Sequence, residues 1–462
     1  MPDTITHDRL SRRERWAIGL LLLAFVSFGV LVEKRSAFSE RRMGDLGCYL
    51  RAAWAVRTER NLYDIVDDNI WHYNYPPLYA ILMMPLADPP RDADASGYLP
   101  YAVSVGICYV FNVLCLVLAV HWLASALEKA ARIDQTGLRW SRRWWLLRTT
   151  PVLFCLTTIG HTLNRGQVNI LVLMLISGLI AGLMTGRRFA AGLCLAAAIC
   201  VKVFPAFLIL VPLWRRDGRC LTGCAAGLLI GLLLIPAGVM GPRRTVVAYH
   251  DYARVLLGPA LGLSDDQSRE DELIAPTTTD NSSFQSVIQA TLHPDRETRP
   301  RQTTLAVRGA AFGLAALMTL MTLWAARGQR ARTGPGLALF VGCLTIVMVL
   351  LSPVGHSHYF VLELPLVSGL LALAWQRRPR LNGPYLGSTE NSPIDVRMLV
   401  LFMILLVGNV LPHVPKLFML RDRGLPAVSA VVLWFVSWWT LARQPAERAN
   451  EVTQPDVPRL AA

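Results

Sequence analysis

Charged residues are few in this sequence. They make up 17% of its 462 residues, whereas 53% are hydrophobic, and the mean hydropathy is +0.39. A soluble protein of this size carries more charge, because its surface has to face water. The deficit argues against an ordinary soluble globular protein. Apolar windows of about 18 or more residues recur along the chain, and they indicate transmembrane helices.

Lysine is the scarcer basic residue, since four lysines stand against 42 arginines. The net charge of +14 would suggest a nucleic-acid partner in a soluble protein. Here the basic residues lie mainly in short runs between apolar segments, so membrane topology explains them. We therefore expect no nucleic-acid partner. Lys202 stands out because it lies inside an apolar stretch.

Cysteine patterns typical of metal sites and disulfide frameworks are also lacking. The nine cysteines include no C-x-x-C pair and no Cys/His ligand pattern. Most of them lie in apolar segments, where they are typical of small buried residues. We expect no metal, no disulfide framework and no cofactor.

Long apolar segments dominate what is present. Twelve of them are predicted to form membrane spans, although two are only 12 residues long and could together form a hairpin that enters the membrane partway. The predicted spans are 16–32, 101–123, 150–163, 167–185, 190–201, 203–214, 220–240, 303–326, 336–351, 358–375, 397–412 and 425–442.

Basic loops decide the predicted topology, because short basic connections face the cytoplasm. Placing both termini and these connections inside requires twelve crossings. It also requires the short apolar stretch at 77–87 to be re-entrant or interfacial. Two long loops, at about 33–100 and 241–302, then lie outside. Residues 1–442 are predicted to form one all-α membrane domain, and 443–462 a polar cytoplasmic tail.

The two outer loops carry further patterns. Residues 46–58 keep helical spacing, which predicts an amphipathic helix lying on the membrane surface. The acidic stretch at 265–272 is expected to be mobile.

Unusual polar groups collect on the predicted outer side. They come from five separate regions of the sequence, and their convergence is more informative than any one motif. The candidate site residues in these regions are Asp45, Arg165, Gln167, Asn169, Lys202, Asn281, His356 and His358.

One carboxylate among several cations suits a lipid phosphate together with a hydroxyl nucleophile. Asp45 could accept the proton of the hydroxyl, and the cations could bind phosphate oxygens and stabilise the departing phosphate. Each residue also has a plainer interpretation. Asp45 could cap a helix that begins near Leu46, Lys202 could extend to the interface, and Arg165 could be an ordinary juxtamembrane cation. The histidines could lie at headgroup level, and Gln167 and Asn169 could bond between helices.

Several short motifs in order along the chain resemble those of one family. They are Gly44-Asp45 with Tyr49, Tyr75-Pro76-Pro77-Leu78, Gly166-Gln167-Val168-Asn169, Lys202-Val203-Phe204-Pro205, and Ser352-Pro353 followed by His356 and His358. This set resembles glycosyltransferase family 87, the polyprenyl-phosphate-mannose-dependent α-1,2-mannosyltransferases of the GT-C superfamily.

The resemblance implies a polytopic GT-C membrane fold with an extracytoplasmic active site in the cell membrane. It implies an inverting, metal-independent transfer of a sugar, usually mannose, from a polyprenyl-phosphate donor to a glycolipid or glycan. Asp45 is then the expected base, and Lys202, Arg165, His356 and His358 the donor-phosphate ligands. Ser357 separates the two histidines, so either one could face the phosphate. Gln167, Asn169, Tyr75 and Asn281 are the expected substrate contacts.

Two other classes of protein are alternatives to a glycosyltransferase. A lipid or solute transporter would favour repeated halves and carboxylates near the bilayer midplane. No repeat is evident, and Glu363 is the one carboxylate within a predicted span. A polytopic assembly protein without catalysis is the third reading.

Overall fold

The protein is described here by a computed structural model. The described residues are 12–38, 42–130, 142–261, 281–376 and 396–443, together with 266, 268, 269 and 272. Over these residues the chain is helical, with two isolated β-bridges and no strand. The predicted tail falls almost wholly at 444–462, outside the described residues.

Thirteen α-helices lie between residues 12 and 261. They are α1 (Arg12–Ala37), α2 (Gly44–Arg57), α3 (Pro77–Leu82), α4 (Tyr101–Ala130), α5 (Arg142–Phe154), α6 (Leu156–Arg165), α7 (Asn169–Met184), α8 (Arg188–Val201), α9 (Leu210–Trp214), α10 (Gly218–Leu228), α11 (Ile235–Met240), α12 (Pro242–Tyr252) and α13 (Gly258–Leu261). A π-helical stretch joins α10 to α11, so these form one long rod.

Seven more α-helices lie between residues 284 and 442 of the described chain. They are α14 (Phe284–Leu292), α15 (Leu305–Ala325), α16 (Gly334–Leu351), α17 (Leu364–Gln376), α18 (Val396–Val410), α19 (Phe418–Asp422) and α20 (Leu425–Ala442).

The structure confirms an all-helical membrane architecture but not a count of twelve spans. Over the described residues, seven helices are long and apolar enough to cross a membrane, or eight if the pair Met398–His413 and Pro415–Asp422, bent by 97°, is one span. The predicted spans between 167 and 214 form shorter helices. Helix α7 has 16 residues and is therefore roughly 24 Å long, less than the hydrocarbon thickness of about 30 Å.

The bundle is organised around α16. In α16, 94% of the membrane-length window is buried inside the protein, against 6% in α1. A helix that is apolar on every side can be buried on every side, whereas α1 presents most of its surface outward. Helix α1 is thus peripheral.

The first outer loop is packed more deeply than its sequence predicts. Helix α2 forms where predicted, but it is buried and does not lie on a surface, with Leu50, Ala52 and Ala53 fully enclosed. Arg51 on α2 is buried as well, and it donates to Asp68 Oδ1 at 2.7 Å. The loop that follows folds back over α2 and covers the face that the amphipathic pattern assigned to water.

The short apolar stretch at 77–87, predicted to be re-entrant or interfacial, does not form a membrane-crossing helix. It forms the six-residue helix α3 and a three-residue 3₁₀ turn at Met84–Leu86, far shorter than a span requires. This agrees with the topology derived from the basic loops.

Candidate active site

One polar cavity of about 410 Å³ collects most of the predicted site residues. Its lining combines residues from the first outer loop, the α6–α7 turn, the α8–α9 turn and the loop before α17. Asp45, Tyr75, Arg165, Gln167, Lys202 and His356 all line it.

Asp45 lies in the first turn of α2, where the helix dipole favours a carboxylate. The N-cap residue of this helix is Met43 and not Asp45. Gln167 Nε2 donates to Asp45 Oδ1 at 2.6 Å, and Arg165 Nε donates to Oδ2. The carboxylate therefore faces the α6–α7 turn instead of capping its own helix.

Gly166 allows this arrangement. It ends α6 with φ of 65°, a left-handed conformation that glycine adopts at little cost. A Cβ at this position would lie 2.7 Å from Leu46 Cβ. This close approach brings Arg165 and Gln167, on either side of Gly166, next to Asp45, which precedes Leu46.

Tyrosine hydroxyls orient the amide of Gln167. The Tyr49 hydroxyl lies 3.0 Å from Gln167 Oε1 and 2.9 Å from the Tyr75 hydroxyl. Since Oε1 accepts from tyrosine, Nε2 is the group that faces Asp45. Burial raises the pKa of Tyr49 and Tyr75 well above the ordinary value, so both hydroxyls remain neutral donors.

Lys202 is held in an aromatic cage. It ends α8 in an extended conformation, and its Nζ lies 3.9 Å from the centroid of the Tyr359 ring and 5.2 Å from that of Phe204. The ammonium donates to Asn169 Oδ1 at 2.9 Å. It is 6% exposed, so it does not extend along the protein surface to the interface as a snorkelling lysine would.

Burial lowers the pKa of the Lys202 amine well below its ordinary value. The carboxylate of Asp45 opposes this shift and Arg165 adds to it. A buried cation with a lowered pKa gains most from an anion placed beside it. The cage is therefore suited to a ligand that carries negative charge.

The two histidines occupy different environments. His356 lines the cavity, whereas His358 lies behind the lining and is 2% exposed. The carbonyl of His358 accepts from Thr162 Oγ1 at 3.2 Å and from Asn169 Nδ2 at 3.3 Å. The His356 side chain thus lines the cavity, whereas the backbone carbonyl of His358 accepts hydrogen bonds from side chains of α6 and α7.

Asn281 also lies behind the cavity. Its Nδ2 donates to the Pro353 carbonyl at 3.0 Å, and its Oδ1 accepts from the Gly355 amide at 2.9 Å. A Cβ at Gly355 would lie 3.0 Å from the Ser283 amide nitrogen, so glycine permits this close approach. Asn281 and Asn169 are placed to hold His356 and Lys202, and neither lines the cavity.

Sequence reasoning missed a second carboxylate in the cavity. Glu272 was expected to be mobile with its acidic neighbours, yet Glu272 Oε1 lies 2.5 Å from His72 Nδ1 and Oε2 accepts from Asn74 Nδ2 at 2.7 Å. Both partners belong to the first outer loop and line the cavity. The sequence indicated this contact only through the predicted topology, which places both long loops on the same side of the membrane.

Metal ligands are not clustered in the part of the chain that the structure describes, where no group of three or more His, Cys, Asp or Glu could hold an ion. That the transfer needs no metal or cofactor stays a prediction.

Membrane-length helices and a cavity lined by Asp45, Glu272, Arg165 and Lys202 define an integral membrane protein with an enzyme-like site. The chain matches the family model of glycosyltransferase family 87 over residues 73–353. That is more than half of its length, so the chain belongs to glycosyltransferase family 87. The predicted membrane glycosyltransferase is therefore confirmed, and the transporter is not favoured.

Two curated proteins are similar to this chain in sequence. The chain is 28% identical over 390 residues to a polyprenol-phosphate-mannose-dependent α-(1-2)-phosphatidylinositol mannoside mannosyltransferase of Mycobacterium tuberculosis, covering 80% of this chain and 79% of the relative. It is 27% identical over 357 residues to the protein of the same name from Mycolicibacterium smegmatis, covering 72% and 71%.

Two solved structures are also similar. They are the crystal structures of ArnT from Cupriavidus metallidurans, one bound to undecaprenyl phosphate and one in the apo state. Both are 16% identical to this chain and cover 92% of it; the match covers 77% of the bound chain with a TM-score of 0.37, and 76% of the apo chain with a TM-score of 0.38.

Proposed function

We propose that this enzyme transfers mannose from a polyprenyl-phosphate donor to a hydroxyl of an anionic glycolipid, on the extracytoplasmic face of the cell membrane. The names of its two relatives support the donor sugar and the lipid class. The observation that carries the proposal is the cavity itself, which places the Asp45 carboxylate and the caged Lys202 ammonium in one lining.

The donor phosphate is assigned to the Lys202 side. Lys202 supplies a desolvated positive charge, and His356 lines the same wall. Val203, Phe204 and Leu257 continue this wall with apolar surface, which suits the first isoprenoid units. Charge-assisted bonds to the phosphate would strengthen as negative charge develops on the leaving oxygen.

Asp45 is assigned as the general base. Both of its oxygens accept hydrogen bonds, from Gln167 and Arg165, and hydrogen bonds to the charged form make a carboxylate a weaker base. A donor phosphate offers Arg165 a second anion within the same cavity. We therefore assign to donor binding the exchange of Arg165 from Asp45 to phosphate, which frees Oδ2.

The chemical step is then a single displacement. The acceptor oxygen attacks the anomeric carbon while its proton passes to Asp45. The bond from that carbon to the phosphate oxygen breaks, and the polyprenyl phosphate departs with the electron pair. Attack opposite the leaving group inverts the anomeric centre, and a phosphate needs little protonation to leave, in contrast to the two-carboxylate hydrolases.

Tyr75 and Gln167 are the predicted substrate contacts that line the cavity. We assign them to sugar hydroxyls, next to the base that they orient. Asn169 and Asn281 are reassigned to positioning Lys202 and the His356 loop, because their side chains bond to those groups. His356 is preferred over His358 as the phosphate ligand for the same geometric reason.

The direct experiment supplies purified protein in nanodiscs with radiolabelled polyprenyl-phosphate mannose and a phosphatidylinositol mannoside acceptor. We expect a labelled glycolipid with inverted anomeric configuration, and none from Asp45→Asn. Polyprenyl-phosphate glucose and arabinose serve as competing donors. Transfer from one of these with none from mannose would contradict the sugar assignment.

Sidedness needs its own test. Arg60 in the first outer loop and Arg219 at the start of α10 are both exposed. Eight of the nine native cysteines are buried, so background labelling by an impermeant maleimide should be low. Arg60→Cys should label in intact cells and Arg219→Cys only after permeabilisation. The reverse pattern would place the cavity on the cytoplasmic side.

A further inference from the structure

A second groove, of about 890 Å³, lies between α1 and α6. Most of its lining is apolar, with Phe28, Leu31 and Val32 from α1 and Leu156 and Gly160 from α6. Its polar members are confined to a few positions. They are Lys34, Arg35, Thr157, His161 and Asn164.

Helix α1 leaves this groove open because it is attached on one side. Phe28 meets Tyr109 of α4 with ring centroids 6.5 Å apart, and the Tyr109 hydroxyl donates to the Phe25 carbonyl at 2.7 Å. On the groove side, Leu31 and Phe38 are 63% and 75% exposed. The groove is an open, mostly apolar channel along the flank of the protein.

The polar end of the groove adjoins the catalytic carboxylate. His161 lines the groove and Arg165 lines the cavity, where it bonds to Asp45. The two residues are four positions apart on α6, so they lie on the same face about one turn apart. A molecule in the groove therefore approaches the cavity from the Asp45 side.

Two cations mark this end. Lys34 and Arg35 are exposed at the end of α1, on the side of the membrane predicted to be outside, where short loops usually carry few basic residues. The neighbouring carboxylate of Glu33 points toward Gly106 on α4, away from the groove. The mouth of the groove is therefore positive.

We propose that this groove binds the acceptor, an anionic glycerophospholipid whose acyl chains lie between α1 and α6. Its phosphate pairs with Lys34 and Arg35, and its headgroup sugar reaches Asp45. This inference rests on the proposed function and adds the acceptor path to it. The donor has a separate place, because its phosphate is assigned to Lys202 and the apolar wall of Val203, Phe204 and Leu257 receives its isoprenoid chain.

Binding without turnover tests the groove independently of the reaction. Purified Asp45→Asn protein is titrated with phosphatidylinositol or phosphatidylcholine in detergent, and bound lipid is counted by native mass spectrometry. We expect preference for phosphatidylinositol. Lys34→Ala and Arg35→Ala should each weaken it about fivefold and the pair about twentyfold, while phosphatidylcholine binding stays the same. Arg301→Ala removes an exposed cation outside the groove lining and should change nothing.

Filling the groove provides the second arm. A Cβ at Gly160 would lie 3.7 Å from Phe28, so Gly160→Leu should occupy the channel, and Thr157→Leu is an alternative if the first variant folds poorly. Both should reduce phosphatidylinositol binding while polyprenyl phosphate binding is retained. Loss of polyprenyl phosphate binding instead would assign the groove to the donor chain. No change in the binding of either lipid would mean that the groove only contacts bulk membrane lipid. Either of these two results overturns the proposal.

The two proposals can fail separately. If the protein binds phosphatidylinositol selectively but transfers no sugar, the proposed function is wrong and the groove proposal stands. If the protein transfers mannose to a phosphatidylinositol mannoside, and Lys34→Ala and Arg35→Ala transfer it equally well, the groove proposal is wrong and the proposed function stands.

Discussion

Two arginine–aspartate pairs with the same chemistry are built in opposite ways. Arg299 donates through Nη1 and Nη2 to the two oxygens of Asp422, both at 2.8 Å, and its Nε donates to the His293 carbonyl at 3.0 Å. Its side chain is 0% exposed. Arg165 bonds to Asp45 through Nε, and these side chains are 37% and 20% exposed in an open cavity.

The difference lies in what each pair can do next. A buried fork in which all three guanidinium nitrogens are engaged can be broken only at a large cost, so Arg299 and Asp422 hold the second outer loop against α19. A pair that faces a water-filled cavity can exchange partners, because solvent and substrate compensate the lost bond. Residue types alone do not separate a structural pair from a catalytic one.

The largest expected effect separates the two aspartates. Asp45→Asn should lower the rate of transfer by about 10²–10⁴, because the general base is lost, with little change in thermal stability. Single-turnover measurements with the radiolabelled donor report the chemical step. Asp422→Asn is the matched control and should show the reverse, near-normal transfer with reduced stability. Equal activity of the two variants would end the base assignment.

Arg299→Ala should produce the largest loss of stability. Removal of one partner leaves a partly buried carboxylate without compensation, which costs about 3–5 kcal/mol. Thermal unfolding in detergent measures it. Arg165→Ala should be less destabilising, since that pair faces the cavity, and it should instead weaken donor binding. A greater loss of stability in Arg165→Ala would contradict the contrast between the pairs.

Lys202→Ala should weaken donor binding. A charge-assisted bond contributes about 1.5–3 kcal/mol, so the Kd for polyprenyl phosphate should rise roughly tenfold to a hundredfold. Lys416→Ala, which removes an exposed lysine, is the control. Unchanged donor affinity in Lys202→Ala would remove Lys202 from the phosphate site.

A smaller effect is expected from pH. Burial holds the pKa of Lys202 below its ordinary value, and the phosphate binds the protonated amine. Donor affinity should therefore be highest at low pH and fall as pH rises through the lowered pKa, before an ordinary lysine would titrate. Titration of polyprenyl phosphate binding across pH 6–10 measures this. In Lys202→Arg the fall should disappear, since guanidinium stays charged.

Much of the site followed from local patterns. Asp45, Arg165, Lys202 and His356 each sit in a short polar motif at the edge of an apolar segment, and the basic loops placed these edges on one side. Because helices cross the membrane and alternate in direction, knowing the topology is enough to bring such edges together.

The misplaced residues have a common cause. Asn169 shares a motif with the cavity residue Gln167, but side chains a few positions apart on a turn point in different directions, and Asn169 faces Lys202 and the His358 carbonyl. Asn281 bonds to the backbone of Pro353 and Gly355 instead of lining the cavity. Glu272 was missed because its partners, His72 and Asn74, are about 200 residues away. Helix α2 looked amphipathic, yet its polar face is covered by the rest of the first outer loop.

Hydrophobic length and loop charge are local quantities, so the amino-acid sequence was enough to predict a helical membrane protein with its polar groups gathered at one boundary. It also carried the motifs of its family. Tertiary structure decided how many helices are long enough to cross, which polar side chains line the cavity, and which arginine–aspartate pair is open to exchange. These depend on contacts between residues distant in the chain, and burial sets their strength.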